Sequence, residues 1–587
     1  MKKLCLIVLS LVACAMVNAQ TVEMNYSFEK PSVTEIQGYE QMMLRGCMQS
    51  ALAGQPSLPW QSVSLMLPQG QEAESIEVIL SDFQDLEGEH ELFPYQPSRT
   101  YSDPERRTFI KDERVYNAKG VYPSKANGQL STQYLNGIGF AFSSFTPVQY
   151  EPTTGHVRYA TKARVVVHTT ASRSYDSQML WLTPFNVRRA QRLAQNPEMI
   201  RNYQGRDGLP AYDILLVTTQ DYVDAMAEYV SFYQVRGFRT QVVTIESVLE
   251  TMSGVDDPEK LRNYILQEYQ DNGIQMVNLA GDVPLIPYRS LYCYVTSGGG
   301  NQEDHLPADL YYAALDGTWN DNNNDRWGEI GEDDLLPELG IGRMCFSNMD
   351  ELNNMMHKLT MYQDQPVLGE FQKVTLAGEH LYDNPLSNGS QYLEMLVGTH
   401  DDNGYTTTGI PENYNFTRLY YETGTWSPDN LQDAINQGTQ YVHHDGHANV
   451  NYVAEWVNSD ITDSNFSGAN GVDHNYTYFH TSGCICGNFP SDCILERMTK
   501  IANFAVATIG NSRYGWFNEG QTEGPAIHLH RETEDAYYYE RIPQAGLALT
   551  ESKIQTAPWV NAPGQCESSA AMEKRRRRGA SNIQLSA

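Results

Sequence analysis

The chain has 587 residues, more than one ordinary domain needs, so its length indicates two to four domains. Its 72 acidic residues outnumber 41 basic ones, and the net charge of −31 repels phosphate backbones, which argues against a nucleic-acid partner. The nine cysteines are too few and too scattered for a disulfide framework of this size.

The first nineteen residues have the pattern of a secretory signal peptide. Two lysines precede the apolar run Leu4–Val12, and a small-residue cleavage site ends at Ala19. The stretch Leu11–Cys14 also resembles a lipoprotein box, in which case Cys14 would carry a lipid. We therefore expect an exported protein, secreted or held at the cell surface. No other run reaches the roughly 18 apolar residues that a membrane helix needs, so no transmembrane span is expected.

Residues 20–183 alternate between apolar and polar side chains in short runs, such as Ala163–His168, separated by Gly, Pro and Asn. This pattern predicts an antiparallel β domain. Residues 184–209 form a polar stretch with five arginines, which we interpret as a partly helical, exposed linker. A domain boundary is therefore expected close to Pro210.

Residues 210–563 change to an alternation of buried strands and helices. Tyr212–Thr218 is predicted to be a strand, Ala225–Tyr233 a helix, and the alternation continues to the strand Ile501–Ile509. Such a pattern predicts an α/β fold with a mostly parallel sheet that is covered by helices on both faces.

Two strand ends in this region carry side chains that could act in catalysis. One strand, beginning at Tyr441, leads into Gly446 and His447, and another, beginning at Tyr478, leads through Ser-Gly into Cys484. Ligands of open α/β sheets bind outside the carboxyl ends of strands, so we expect the imidazole and the thiol to meet there. A thiol beside an acid or base is an activated nucleophile.

These residues resemble the gingipain family of secreted, caspase-like cysteine peptidases. The resemblance extends over 210–563 and also rests on the segments Ile341–Arg343, Cys484–Phe489 and Gly510–Trp516. Less distinctly, Pro56–Trp60 and Leu67–Gly70 resemble the inhibitory propeptide of that family. The resemblance implies a caspase-like catalytic domain, a zymogen, protein or peptide substrates, and inhibition by the chain's own propeptide.

The chemistry of such a site can be stated residue by residue. Cys484 would attack a peptide carbonyl, and the backbone N–H groups of Gly446 and Cys484 would stabilise the oxyanion. His447 would protonate the leaving amine, because histidine titrates near neutral pH. The resemblance implies that Glu379 fixes the imidazole and that Trp516 lines the specificity pocket. Cys486 is the weaker candidate for the nucleophile.

The resemblance also bears on substrate preference. In Arg-cleaving relatives an Asp lies about eleven residues after the position of Glu379, whereas this chain has Ser387–Gln391 there. An acid is therefore missing from the place where cleavage after Arg or Lys would need it, unless Asp383 or Glu394 takes its role.

An Asn- and Asp-rich segment predicts a structural calcium site. Asp321, Asn323, Asp325 and Glu329 place oxygen ligands at alternate positions, and by resemblance Asp282 matches a family calcium ligand. The alternative is a solvated loop, because the glycine of an EF-hand is missing. No organic cofactor is expected.

Two other functions stay open from the residues. A zinc hydrolase would use His443, His444 and Asp445 together with His447, although their spacing matches no known zinc motif. A catalytically inactive, calcium-binding surface or adhesion protein would use the same fold without a working site. Residues 564–587 form a low-complexity tail that begins close to Cys566 and departs from the family pattern, as a truncated or frameshifted end would.

Overall fold

The computed structural model of the protein describes residues 20–101, 108–206, 208–297, 300–329, 331–518, 521–563 and 580–584. For 293–297, 300–304 and 580–584 only the backbone is described. The expected signal peptide, with Cys14, and most of the expected tail lie outside these residues.

The N-terminal domain is built of antiparallel strands, as predicted. Its longest strand, His156–Ala171, buries Val157, Tyr159, Val165 and Val167 on one face, which follows from the two-residue period of a strand. The strands are Thr21–Ser27, Ser32–Ile36, Tyr39–Met43, Met48–Ser50, Leu58–Met66, Gln71–Asp85, Arg99–Thr100, Ser131–Leu135, Ile138–Phe145, Val148–Glu151 and His156–Ala171. One short helix, Glu113–Tyr116, is also present.

The segment predicted to be an exposed linker is helical but largely packed. Thr183 caps the helix Pro184–Leu193 by accepting a hydrogen bond from the Asn186 N–H. Arg189 is buried, and its guanidinium pairs with Glu551 at 3.0 Å. A buried charge needs such a partner, so the expectation of full exposure was wrong here. The end of the segment, at 204–206 and 208–209, is a run of exposed residues outside any helix.

A ten-stranded sheet forms the centre of the second domain. In chain order its strands are β1 Ile214–Thr218, β2 Thr240–Thr244, β3 Met276–Ala280, β4 Gly340–Met344, β5 Lys373–Gly378, β6 Asn415–Tyr420, β7 Tyr441–Asp445, β8 Thr477–Thr481, β9 Ala505–Asn511 and β10 Ala580–Gln584. The spatial order is β2-β1-β3-β4-β10-β9-β8-β7-β5-β6. Every neighbouring pair is parallel except β9 with β10. The predicted α/β class with a mostly parallel sheet is confirmed.

Helices cover both faces of this sheet, as the buried strands require. On β1, Leu216 packs with the helix Met226–Gln234, whereas Leu215 packs with the helix Asp257–Asn272. The latter begins at an Asp cap and ends at Gly273, whose φ of +69° lies in the left-handed region that favours glycine. The other α-helices of this domain are Ile245–Thr251, Leu310–Ala313, Met349–Asp364, Gly389–Leu393, Pro428–Asn436, Ile494–Lys500, Pro525–Tyr538 and Ala545–Gln555.

Smaller elements complete the domain. Two-stranded pairs are formed by Ser290–Ser297 with Gly300–Pro307, His380–Asp383 with Leu386–Asn388, Thr399–Asp402 with Tyr405–Thr408, and Trp516–Phe517 with Arg99–Thr100 of the N-terminal domain. The short strands Ala448–Asn449, Tyr452–Val453 and Trp456–Val457 form a three-stranded sheet. In the described part of the chain, no helix has both the length and the apolar character needed to cross a bilayer.

Candidate active site

The predicted site residues follow neighbouring parallel strands at one edge of the sheet. Glu379 comes directly after β5, His447 shortly after β7, and Cys484 shortly after β8. β7 lies between the other two, with His444 opposite Thr481 of β8 and Asp445 opposite Gly378 of β5. The structure therefore brings together the strand ends that the sequence predicted.

Two glycines allow the turns after β7 and β8 to touch. A Cβ on Gly446 would lie 2.4 Å from the carboxyl carbon of Glu379 and 2.6 Å from Nε2 of His444. A Cβ on Gly483 would lie 2.4 Å from the Cβ of Ala448 and 3.6 Å from the Gly446 carbonyl oxygen. Real Cβ atoms do not approach that closely, so only glycine fits at either turn. This contact sets the His447 turn beside the Cys484 turn.

The side chain of Glu379 binds the backbone of the turn that carries His447. Its buried carboxylate accepts hydrogen bonds from the His447 N–H and from Nε2 of His444, each at 2.9 Å. The hydrogen bonds described for this carboxylate do not include the imidazole of His447. Glu379 therefore lies where the resemblance implied, but it positions His447 through the main chain. The His447 ring instead lies edge-on to Tyr382, with ring centroids 5.7 Å apart.

Cys484 is buried at the start of a strained turn. The Gly515 N–H donates to its Sγ over 3.3 Å, and the Sγ also lies 3.7 Å from the Gly515 carbonyl oxygen. The next residue, Ile485, has a φ of +61°, a costly conformation for a β-branched residue. Its N–H donates to the Arg513 carbonyl over 2.6 Å, which helps to hold that conformation. Strain of this kind costs about 1–3 kcal/mol and is concentrated at functional sites.

The neighbouring thiols have core environments. Cys486 and Cys493 are fully buried, and burial raises the pKa of each thiol above its ordinary value. The Cys486 Sγ lies 3.5 Å from the Gly483 carbonyl oxygen. Cys486 and Cys493 both belong to the hydrophobic cluster that contains Phe479 and Ile494.

A segment of the N-terminal domain enters this site. Arg99 and Thr100 pair in antiparallel fashion with Phe517 and Trp516. The next N–H, that of Tyr101, donates to the Gly515 carbonyl over 3.0 Å. The Tyr101 side chain is fully buried and packs in the same hydrophobic cluster as Cys484. The N-terminal domain therefore adds a strand along the edge that leads to Cys484.

Asp445, the last residue of β7, lies at the end of the Tyr101 side chain. Its Oδ2 accepts hydrogen bonds from the Tyr101 hydroxyl at 3.1 Å and from the Ser482 hydroxyl at 2.7 Å. Its Oδ1 has no hydrogen-bond partner within the described ranges. Burial raises the pKa of Asp445 to about 7. From the sequence we considered Asp445 only as a zinc ligand, and we did not identify Tyr101 as a residue near the site.

The side chains of Trp516 and Phe517 lie in different hydrophobic clusters. Trp516 is buried in a hydrophobic cluster with Trp319 and Tyr311, and only its backbone meets the N-terminal strand. Phe517 packs against Tyr101, with ring centroids 5.0 Å apart. The aromatic wall that was expected from Trp516 is supplied beside Tyr101 by its neighbour, because successive strand residues face opposite sides.

The histidines considered for zinc are divided between two places. His444 contacts Glu379, whereas His443 faces the other way, with its Nε2 2.7 Å from Nδ1 of His530. His443, His480 and His530 have ring nitrogens within 4.8 Å of one another. They are joined by the Tyr441 hydroxyl and the Glu534 carboxylate. His530 and the nearby His528 are buried on the helix Pro525–Tyr538.

The residues expected to bind calcium do not converge. Asp282 forms an ion pair with Lys500 at 3.2 Å and accepts from the Ser347 hydroxyl. In the Asn/Asp-rich loop, Asp321 accepts from Thr318, Asn323 donates to the Asp321 carbonyl, and Glu329 accepts from Asn322 and Asn324. Asp325 is exposed. These contacts are those of a self-bonded surface loop.

A different carboxylate cluster lies next to that loop. Asp316, Asp334 and Glu338 each place an oxygen within 4.8 Å of the others. Burial raises the pKa of all three, that of Asp316 to about 7. One oxygen of Asp316 is buried without a hydrogen bond inside the described segments. Converging oxygens of this kind fit a hard cation such as Ca²⁺ better than the predicted loop does.

Comparison with known proteins identifies the family. The profile of Peptidase family C25 matches residues 208–578, and that of Propeptide_C25 matches residues 12–180. Lys-gingipain of Porphyromonas gingivalis is 24% identical over 451 residues, which cover 74% of this chain and 23% of the relative. Gingipain R1 of the same organism is 21% identical over 414 residues, 67% of this chain and 36% of the relative. The chain thus spans about a quarter of the length of the Lys-gingipain relative.

Two solved structures are also similar to parts of this chain. The crystal structure of the Arg-specific cysteine proteinase gingipain R covers 65% of this chain and 78% of its own, with 15% identity and a TM-score of 0.46. The complex of the pro- and mature domains of that enzyme covers 63% and 78%, with 14% identity and a TM-score of 0.44. The profile matches show that the chain belongs to peptidase family C25, the gingipain family of cysteine peptidases, and that it carries the family's N-terminal propeptide.

Proposed function

We propose that this chain is an exported cysteine endopeptidase, made as a zymogen, that hydrolyses peptide bonds with Cys484 and His447. The observation that supports the proposal is the contact between the turns after β7 and β8, of which the first carries His447 and the second carries a thiol with an N–H donor on its sulfur. Family membership supports the reaction class.

The proposed reaction divides among named groups. The Cys484 thiolate attacks the carbonyl carbon, and the N–H groups of Gly446 and Cys484 stabilise the oxyanion. The C–N bond then breaks as His447 gives a proton to the leaving amine. Water hydrolyses the thioester, which releases the acid product and restores the thiol. Glu379 acts as a positioning residue, because it fixes the backbone that carries His447.

The zymogen part of the proposal rests on the N-terminal strand. Arg99 and Thr100 occupy the edge formed by Trp516 and Phe517, and the Tyr101 side chain is buried in the same hydrophobic cluster as Cys484. A peptide substrate would add its strand to the same edge, because strand addition is how extended peptides bind exposed sheet edges. The propeptide and a substrate therefore compete for one place, and removal of the propeptide would open it.

Calcium is proposed as a structural ion, held by Asp316, Asp334 and Glu338. The support is their shared burial and the unsatisfied Asp316 oxygen. Bound there, calcium would offset the repulsion of three carboxylates and stabilise the folded chain by mass action. It would supply no step of the reaction.

The dyad can be tested in the processed chain. Cys484→Ala should abolish hydrolysis of a mixed peptide library, whereas the matched variant Cys486→Ala should retain most of it. Iodoacetamide should label Cys484 and inhibit in proportion to labelling. Equal loss in both variants would show that the nucleophile is assigned wrongly. Inhibition by phenanthroline without thiol sensitivity would favour the zinc hydrolase instead.

A further inference from the structure

The N-terminal strand identifies the pocket next to the nucleophile. Gly515 binds two groups: its N–H donates to Sγ of Cys484, and its carbonyl accepts the N–H of Tyr101. Tyr101 therefore occupies the place of the substrate residue whose carbonyl would be attacked. Thr100 and Arg99 precede it along the edge, as the preceding residues of a substrate would.

The Tyr101 side chain fills this pocket to its end. The side chain is fully buried, with Phe517 on one wall at a ring-centroid distance of 5.0 Å. Gly515 forms the opposite boundary, since a Cβ there would lie 2.8 Å from Cδ2 of Tyr101. The hydroxyl reaches Oδ2 of Asp445 at 3.1 Å. The pocket thus has room for a flat ring and ends in a hydrogen-bond acceptor.

Asp445 is the last residue of β7, and its side chain forms the floor of this pocket. Ser482 donates to the same carboxylate oxygen, and Asp445 is 1% exposed. A buried acceptor that loses its donor is costly, so a site that binds a hydroxyl rejects the analogue without one. Phenylalanine would fill the walls but would leave the Asp445 carboxyl with the Ser482 hydroxyl on Oδ2 in place of the two hydroxyls that it binds with Tyr101.

A basic side chain fits the same floor less well. With Tyr101 in the pocket, burial raises the pKa of Asp445 to about 7, so the filled pocket favours the uncharged carboxyl near neutral pH. An uncharged acid does not offset the burial of an ammonium or guanidinium group. A phenol needs only an acceptor, and its ring gains from packing on Phe517.

We propose that this peptidase cleaves after tyrosine and that Asp445 selects the phenol hydroxyl at the floor of the pocket. The proposal rests on the proposed function, and it makes Tyr101 an internal mimic of the preferred substrate. It also departs from the specificities that the names Lys-gingipain and Arg-specific gingipain R give to two relatives.

The test uses the full chain after processing and four peptides that end in a fluorogenic amide. All begin Arg-Thr, as Arg99 and Thr100 do, and end in Tyr, Phe, Lys or Arg. We expect kcat/KM for the Tyr peptide to exceed that for Phe by at least about tenfold, with Lys and Arg lower still. A best rate with Lys or Arg, or equal rates with Tyr and Phe, would overturn the proposal.

Substitutions test whether Asp445 is the residue that causes the preference for Tyr over Phe. Asp445→Ala should remove the preference for Tyr over Phe while the Phe peptide is still cleaved, and Asp445→Asn, which keeps an acceptor, should retain part of it. Asp473→Ala, which removes an exposed carboxylate in the turn before β8, is the matched control and should leave the ratio unchanged. An unchanged ratio in Asp445→Ala would also overturn the assignment.

The unprocessed chain gives an independent readout that needs no change in the catalytic domain. Tyr101→Phe should raise residual activity, because the segment loses its bond to Asp445. Tyr150→Phe is the control, because it also removes a buried hydroxyl of the N-terminal domain, which donates to the His90 carbonyl. This variant should not raise the residual activity. If the processed chain digests the peptide library but not after Tyr, only the specificity proposal fails. If it digests nothing and Cys484 is not alkylated, the proposed function fails as well.

Discussion

Glu379 offers a sharp test of how the site is held. Its carboxylate accepts from a backbone N–H, that of His447, and from the ring of His444. Glu379→Ala would leave without this acceptor one buried donor, Nε2 of His444, and one partly buried donor, the His447 N–H. A buried donor without a partner costs about 1–3 kcal/mol, so we expect a loss of at least about 1–3 kcal/mol in unfolding free energy. The turn would also shift, and a displacement of about 1 Å commonly costs about 100-fold in rate.

Glu379→Gln should behave differently. The amide oxygen can accept the His447 N–H, and the amide nitrogen can donate to His444 once that ring carries its proton on Nδ1, which already lies 2.8 Å from the Thr481 hydroxyl. We therefore expect kcat/KM within about tenfold of the parent, because a backbone N–H needs an acceptor and not a charge.

The assay combines kcat/KM of the processed chain with thermal unfolding. Glu370 is the matched control, because its buried carboxylate also accepts a backbone N–H, that of Asn475 at 2.9 Å, and a ring nitrogen of His474 at 2.7 Å. Glu370→Ala should lower stability without lowering kcat. A fall of about 10⁴ in Glu379→Gln, with stability intact, would refute this reasoning, because it is the signature of a carboxylate that orients the catalytic imidazole itself.

Three further predictions follow from other parts of the molecule. Burial lowers the pKa of His443 to about 3 and of His480 to about 4, so these two side chains bind more protons in the unfolded chain below about pH 6.5, whereas buried carboxyls such as Asp445 and Asp316 oppose this trend. The urea midpoint of His480→Gln should therefore rise relative to that of the parent chain from pH 7 to pH 4.5, because the variant removes one of the two histidines. Chelation of calcium should lower the melting temperature, and Asp334→Asn should abolish this effect while Asp321→Asn preserves it. Limited proteolysis should cut first at 204–206 or 208–209, which N-terminal sequencing would locate.

The sequence predicted what local pattern controls. The buried strand β1 and the helix Asp257–Asn272 follow from periodicity, caps and a terminal glycine, which act within a few residues. The meeting of the His447 and Cys484 turns was predictable because parallel strands end at a common edge. These features need no knowledge of distant partners.

The remainder depends on contacts between distant residues. Arg189 is buried because Glu551 lies opposite it, and Tyr101 is buried because Asp445 receives its hydroxyl. Neither partner can be found from local spacing, so one residue was assigned to an exposed linker and the other was overlooked. Glu379 shows a subtler limit: its position was predictable by resemblance, but the atom it bonds was not.

The geometry also explains why a substrate-like segment would inhibit and not be cut. Attack at Tyr101 would need its carbonyl oxygen at the oxyanion donors of Gly446 and Cys484. In the structure the Tyr382 hydroxyl donates to the carbonyls of Tyr101 and Thr100, at 2.9 and 3.1 Å. The side chain and the N–H of Tyr101 are therefore bound as in a substrate, while its carbonyl is held by a group outside the oxyanion site. Tyr101 can therefore bind the pocket tightly while its carbonyl stays out of reach of attack, and a propeptide that inhibits without being cut needs both properties.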